Sequence, residues 1–281
     1  IPSENEANEI QNEITKQKYK ILSIKSSERK TKPRAPFTTS SLQQDSSSRL
    51  RLSPSRTMAI AQQLFQGINL GNGEEGLITY MRTDSTALSN ESLNEINKYI
   101  TKSYGDNYYE LRKYKTKSAN AQEAHEAIRP TSISKTPDSI KSFLDDDQFK
   151  LYDLIWKRTV ASQMTESINK KTTIITSSEN EKYKFKSDYD ELTFDGFKKL
   201  FPEKESDKMP SISEDDIVDL SKVDKEQKFT QHPPRYSEAS LIKTLEDLGI
   251  GRPSTYASIL NTIKDKKYVW VINRSIYLSP I

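Results

Sequence analysis

Gly76-Leu77-Ile78-Thr79-Tyr80-Met81-Arg82-Thr83-Asp84-Ser85-Thr86 is the stretch from which this 281-residue chain is read. A phenol, a guanidinium and a carboxylate recur at every second position, with Thr83 between the last two. A phenol with a pKa near ~10 is a weak nucleophile at neutral pH. It becomes useful beside a cation and with a stabilised leaving group. The guanidinium fork matches phosphate geometry and stays protonated. The spacing therefore suits attack by Tyr80 on a phosphodiester, with Arg82 holding the charge that gathers on the non-bridging oxygens. The resulting phosphotyrosine ester would keep the energy of the broken bond, so resealing would need no ATP. Taken alone, Tyr80 is one of 14 tyrosines, and a lone tyrosine is commonly a packed residue with a satisfied hydroxyl. Residues two apart in a strand share a face in any case.

Two further segments extend the pattern. The first runs Asn120-Ala121-Gln122-Glu123-Ala124-His125-Glu126-Ala127-Ile128-Arg129-Pro130-Thr131. His125 titrates near neutrality and fits a proton relay or a phosphate contact; it equally fits a polar residue satisfying a loop near a helix start. A zinc protease is excluded, because Arg129 stands where the partner histidine would be. The second runs from Pro233-Pro234-Arg235-Tyr236-Ser237-Glu238-Ala239-Ser240-Leu241 to Gly249-Ile250-Gly251-Arg252-Pro253-Ser254-Thr255-Tyr256-Ala257. In this order the three segments resemble the motifs of type IA DNA topoisomerases, closest to the bacterial topoisomerase I branch. The likeness covers nearly everything after about residue 35, and topoisomerase III and reverse gyrase share the core motifs.

Composition narrows the setting. Hydrophobic residues make up 33% and charged residues 30%, which suits several small cores with wide wet surfaces. The net charge of +3 is too mild to announce nucleic-acid binding by itself. With no cysteine, a disulfide framework and a thiolate zinc site are both excluded. No apolar run approaches the ~18 residues of a membrane span. The polar start and the missing initiator Met read as a fragment of an intracellular protein.

Along the chain, residues 1–18 are a polar helix or a disordered tail. Tyr19, Ile21 and Ile24 begin a strand, and Ser26 to Pro36 reads as a basic connector. Residues 40–165 are mainly helical. Met58, Ala61, Leu64 and Phe65 form one stripe, stopped by Gly67. Phe149, Tyr152, Trp156 and Val160 form another, read as core, with Asp145–Asp147 at its N-terminal end. Strand character returns after Met164, with Thr172–Thr176, Tyr183 and Phe185. Residues 203–214 are a loop. Leu241, Leu245 and Leu248 form a helical stripe capped by Gly249. A second helix is opened by Pro253-Ser254, and Tyr268–Leu278 reads as a hairpin split at Asn273-Arg274-Ser275. Helix, tight turn, helix and hairpin is the order of a winged helix.

The resemblance implies an α+β multidomain fold, in which a helical domain bearing the active tyrosine interrupts a β-rich hinge domain and a winged-helix-like DNA-binding segment follows. Boundaries fall at 1–39 and 166–222 for the hinge, 40–165 for the helical domain, and 223–281 for the last segment. It implies Tyr80, Arg82 and His125 as catalytic, supported by Thr83, Asp84, Glu126 and Arg129. Arg235, Arg252, Ser254 and Thr255 would hold DNA backbone. Mg²⁺ would be held by an N-terminal TOPRIM domain, absent here, and by no residue of this chain. The partners are DNA, preferentially single-stranded, and that TOPRIM domain, with no membrane. The setting is the cytoplasm, on the nucleoid. The fragment alone is expected to be inactive. The rivals are a non-catalytic DNA-binding module and the equivalent part of topoisomerase III or reverse gyrase.

Overall fold

The computed structural model describes residues 1–114, 126–203 and 208–280. In chain order the elements are α1 (Glu4–Ile14), β1 (Tyr19–Thr31), α2 (Thr39–Asp45), α3 (Pro54–Gln66), β2 (Ile68–Asn69), β3 (Glu74–Glu75), α4 (Asn90–Tyr104), α5 (Pro137–Ile140) and α6 (Asp146–Ser162). They continue with β4 (Ser167–Ser178), β5 (Lys184–Phe194), β6 (Ile217–Val218), α7 (Glu238–Asp247), α8 (Tyr256–Asp265), β7 (Val269–Ile272) and β8 (Ser275–Leu278). The architecture is α+β, as the sequence led us to expect. Among the described residues no helix is long and apolar enough to cross a membrane.

The chain divides into two compact units, one formed by Ile1–Lys32 with Glu166–His232, the other by Pro33–Thr165 with Pro233–Ile281. The first unit is an antiparallel sheet in the order β5-β4-β1-β6. β1 and β4 pair from Tyr19↔Ser178 to Thr31↔Ser167, with a bulge between Ile21 and Ser23. The β-branched run Thr172–Thr176 lies mid-strand in β4 because such side chains pack well on a pleated surface. Ile14, Tyr19, Ile21, Ile174 and Leu200 are the unit's buried large apolar residues among those described. The Tyr19 hydroxyl donates to the Ile14 carbonyl at 2.8 Å and ties α1 to the sheet. The supposed connector is partly strand: Ser26 to Thr31 continue β1, because each finds a partner on β4.

The second unit holds the helices. α3 opens with Ser53 as cap and Pro54 in its first turn, and it ends at Gly67. α6 opens with a reciprocal Asp145–Gln148 capping box. Tyr152, Trp156 and Val160 of its stripe are core, whereas Phe149 is half-buried; the Tyr152 hydroxyl donates to the Lys135 carbonyl at 2.7 Å and the Trp156 indole to the Ile133 carbonyl at 3.1 Å. α7 and α8 enclose Ile242, Tyr256 and Leu260. Leu248, expected in the α7 stripe, is 67% exposed, because the helix has already ended at Asp247. α8 starts one residue later than expected, with Thr255 rather than Ser254 in the cap position and no side-chain cap bond. The β7–β8 hairpin turns at Asn273 and Arg274, both left-handed (φ 48° and 64°), as a two-residue hairpin requires. This last segment rests on the helices of its own unit. Ser40 on α2 donates to Glu246 on α7 at 2.7 Å, and Ser55 on α3 to Asn261 on α8 at 2.9 Å. The six residues from Pro33 to α2 also belong with the helices, since Phe37 is fully buried and bridges Ile128.

Candidate active site

Three strips of chain come together around Tyr80. Gly76 opens the central one. A Cβ there would meet the Phe65 carbonyl oxygen at 2.7 Å, so only glycine fits. The next amide, of Leu77, donates to the Leu64 carbonyl at 2.7 Å and anchors the strip to the end of α3. Ile78 bridges Pro130. The Thr79 hydroxyl donates to the Ala127 carbonyl at 2.7 Å and accepts from the Arg129 amide at 3.0 Å. On the far side of Tyr80, the Thr39 hydroxyl reaches the backbone on both sides of Arg82, donating to the Met81 carbonyl at 2.7 Å and accepting from the Thr83 amide at 2.9 Å.

The strip is not a strand, yet its side chains alternate. Met81, Thr83 and Ser85 are buried. Tyr80 is 42% exposed, Arg82 is exposed and Asp84 half-buried. The Tyr80 ring meets Phe65 edge-on at 5.4 Å. Among the described residues Arg82 has no hydrogen bond or ion pair, which leaves its fork available to an anion. Thr83 is occupied internally, its hydroxyl accepting from the Ser85 amide at 3.0 Å.

Glu126 and Arg129 pair with each other. The Arg129 fork places Nη2 at 2.6 Å and Nε at 3.0 Å from one Glu126 oxygen. The other Glu126 oxygen accepts from the amide of Ser89, the residue that caps α4, at 2.6 Å. Burial pushes the Glu126 carboxyl up, but Arg129 and Ser89 outweigh it and hold the group below the usual carboxylate range. These two residues fix the strip beside Tyr80 to the start of α4. His125 lies outside the described residues.

The last segment also reaches this neighbourhood. Burial raises the Tyr256 phenol, the charges of Glu246 and Asp84 add to the rise, and Arg252 opposes it. The Thr255 hydroxyl accepts from the Arg252 amide at 2.8 Å, so it closes the turn rather than standing open. Gly251 there has φ +84°, and a Cβ would lie 2.9 Å from Ile259. Ser254 is exposed in the same turn. Arg235 stacks over Tyr277 of the hairpin, 4.3 Å from the ring centre.

Sequence reasoning missed Thr39 and Thr79, whose partners lie more than 40 residues away. It also missed Asp45, a carboxylate on α2 with Arg158, Arg34 (3.4 Å) and Arg49 (3.5 Å) around it. Burial lowers the Arg158 guanidinium against the opposing pull of Asp45, and Arg158 also stacks on Phe37 at 4.3 Å. No spacing rule links residues 45 and 158. Among the described residues no three His, Cys, Asp or Glu side chains gather as metal ligands would.

An exposed tyrosine and an exposed arginine stand on an otherwise largely buried, doubly clamped strip, with a helix-turn-helix and hairpin on the same unit. The family model described as DNA topoisomerase matches residues 1–280, and the chain belongs to that family, in its type IA, topoisomerase I branch. It is 46% identical to DNA topoisomerase 1 of Rickettsia felis, over 96% of this chain and 36% of that protein. It is 44% identical to DNA topoisomerase 1 of Helicobacter pylori, over 97% of this chain and 37% of the relative. The solved structure of full-length topoisomerase I from Thermotoga maritima superposes with a TM-score of 0.87 at 38% identity, covering 99% of this chain and 45% of that one. The chain thus spans a little over a third of the length of these curated relatives.

Proposed function

We propose that this chain is the strand-passage portion of a type IA DNA topoisomerase that cuts and reseals single-stranded DNA through Tyr80. The Tyr80 oxygen would form a bond to phosphorus as the bond from phosphorus to the 3′ oxygen breaks. The phenolic proton leaves the tyrosine, and the departing 3′ oxygen gains one. The 5′ end stays on Tyr80 while another strand passes, and the reverse steps reseal the break without ATP. Arg82 would hold the charge on the non-bridging oxygens, and Asp84 would set the field around that arginine. Arg235, Arg252, Ser254 and Thr255 would hold DNA backbone at the helix-turn-helix, with His125 assisting near the phosphate.

The observation that carries this reading is the exposure of Tyr80 beside Arg82, which has no hydrogen bond or ion pair among the described residues, on a strip where Leu77, Ile78, Met81, Thr83 and Ser85 are buried. Among the described residues no three His, Cys, Asp or Glu side chains cluster, and Mg²⁺ would supply positive charge beside the phosphate. The ion would belong to a TOPRIM domain acting with this chain, in the cytoplasm and on the nucleoid. The test is Tyr80→Phe in the full-length protein. Incubation with a single-stranded oligonucleotide and Mg²⁺ should then leave no DNA–protein adduct by mass spectrometry, and supercoiled plasmid should stay unrelaxed. An adduct of wild-type yield in that variant would end the proposal.

A further inference from the structure

We propose that Thr39, at the start of α2, is a positioning residue that sets where the Arg82 guanidinium stands for phosphate, an inference resting on the role given to Tyr80 and Arg82 above. Thr39 is fully buried. Its hydroxyl donates to the Met81 carbonyl at 2.7 Å, lies 3.1 Å from the Thr83 carbonyl, and accepts from the Thr83 amide at 2.9 Å. Its own amide donates to the Thr83 carbonyl at 2.9 Å. One hydroxyl offers one proton and two lone pairs, and here they bind the peptide groups on both sides of Arg82. Since Arg82 has no side-chain partner among the described residues, its direction comes from this backbone. Thr39 is itself held from behind. It is the first residue of a helix whose cap is the reciprocal Thr38–Ser41 box, and its neighbour Ser40 bonds Glu246 at 2.7 Å.

Replacing the hydroxyl by a methyl leaves the Thr83 amide and the Met81 carbonyl without this partner in a buried place, so the strip must shift to satisfy them. A displacement of about 1 Å at a reacting group is worth about 10²-fold in rate. The test uses the full-length protein and a single-stranded oligonucleotide. It compares the rate of covalent adduct formation with the affinity for uncleaved DNA in Thr39→Val, Thr39→Ala and Thr39→Ser. Val and Ala should cleave about 10²-fold more slowly with binding unchanged within about 2-fold, and Ser, which keeps the oxygen, should stay within about 3-fold of wild type. In an Arg82→Ala background, Thr39→Val should cost nothing more, because its effect runs through that arginine. Wild-type cleavage by Thr39→Val, an equal loss in the Arg82→Ala background, or failure of both Val and Ala to fold would each overturn the inference. Tyr80→Phe is measured alongside. An adduct persisting there removes the underlying reading, whereas a silent Thr39→Val beside an adduct-free Tyr80→Phe removes only the role of Thr39.

Discussion

Arg82 sits exposed between two buried neighbours, Met81 and Thr83, and no described side chain pairs with it. Its removal therefore costs the fold little, and whatever it does is done to something outside the unit. We expect Arg82→Ala to lower the rate of adduct formation by about 10²–10³-fold, the range for losing one preorganised charge-stabilising donor, while the thermal midpoint stays where it was. A fall in the midpoint with unchanged cleavage would assign Arg82 to the fold instead. At this scale the letters of Tyr80 and Arg82 named residue types suited to phosphodiester chemistry. The sequence was silent where chemistry depends on a partner. Thr38-Thr39-Ser40-Ser41 reads as a helix start, and nothing in those letters says that the second hydroxyl spans residues 81 to 83. Glu126 and Arg129 stood in the right motif, yet their shared contact makes them a brace for the start of α4.

Elements that end cleanly were the ones the sequence announced. Ser53-Pro54 and Gly67 bracket α3, and Asp145 with Gln148 opens α6. α8 begins one residue later than the Pro253-Ser254 opening suggested, with Thr255 in the cap position and its hydroxyl turned to the preceding turn. The far end of α6 carries a pH prediction. A helix terminus leaves carbonyls without partners, and the Tyr114 hydroxyl supplies one, donating to the Ser162 carbonyl at 2.9 Å with the Pro33 carbonyl 3.3 Å away. Burial pushes this phenol up to about 12, with Arg112 and Arg158 opposing. The folded state thus keeps its proton to higher pH than the unfolded chain. Its contribution is fully present below the unfolded value of 10.0 and is lost as pH rises through the folded value of about 12. Urea midpoints measured across that window should fall, and less steeply in Tyr114→Phe than in wild type. The variant's curve should not become flat, because Tyr104 is raised to about 12 by burial as well. Parallel slopes would show that Tyr114 ionises alike in both states.

At the scale of the whole chain, the arrangement follows from where apolar side chains are concentrated. The sheet unit has few buried residues and long polar strands, whereas the helical unit buries most of the large side chains. The return of β-branched residues after Met164 made the interruption visible in the sequence. That the helix-turn-helix and hairpin belong with the helices was not visible, because the ties run through single polar pairs such as Ser40–Glu246 and Ser55–Asn261. One unit therefore presents Tyr80, Arg82 and the Arg252 turn together, while a cluster of carboxylates to hold a divalent ion is missing among the described residues. The consequence is a division of labour that can be measured. This 281-residue chain alone should bind a single-stranded oligonucleotide, more weakly as salt rises because phosphate contacts release counterions. It should form no adduct with it and should leave supercoiled plasmid unrelaxed in Mg²⁺. Supplying a TOPRIM domain from the same protein as a separate polypeptide should then produce an adduct on Tyr80. On the proposed reading, a group must protonate the departing 3′ oxygen and further positive charge must join Arg82 at the phosphate, so binding and bond-breaking should come apart in the chain alone. Robust Mg²⁺-dependent relaxation by the chain alone would mean that the residues described here contain the whole active site, and the division would fall.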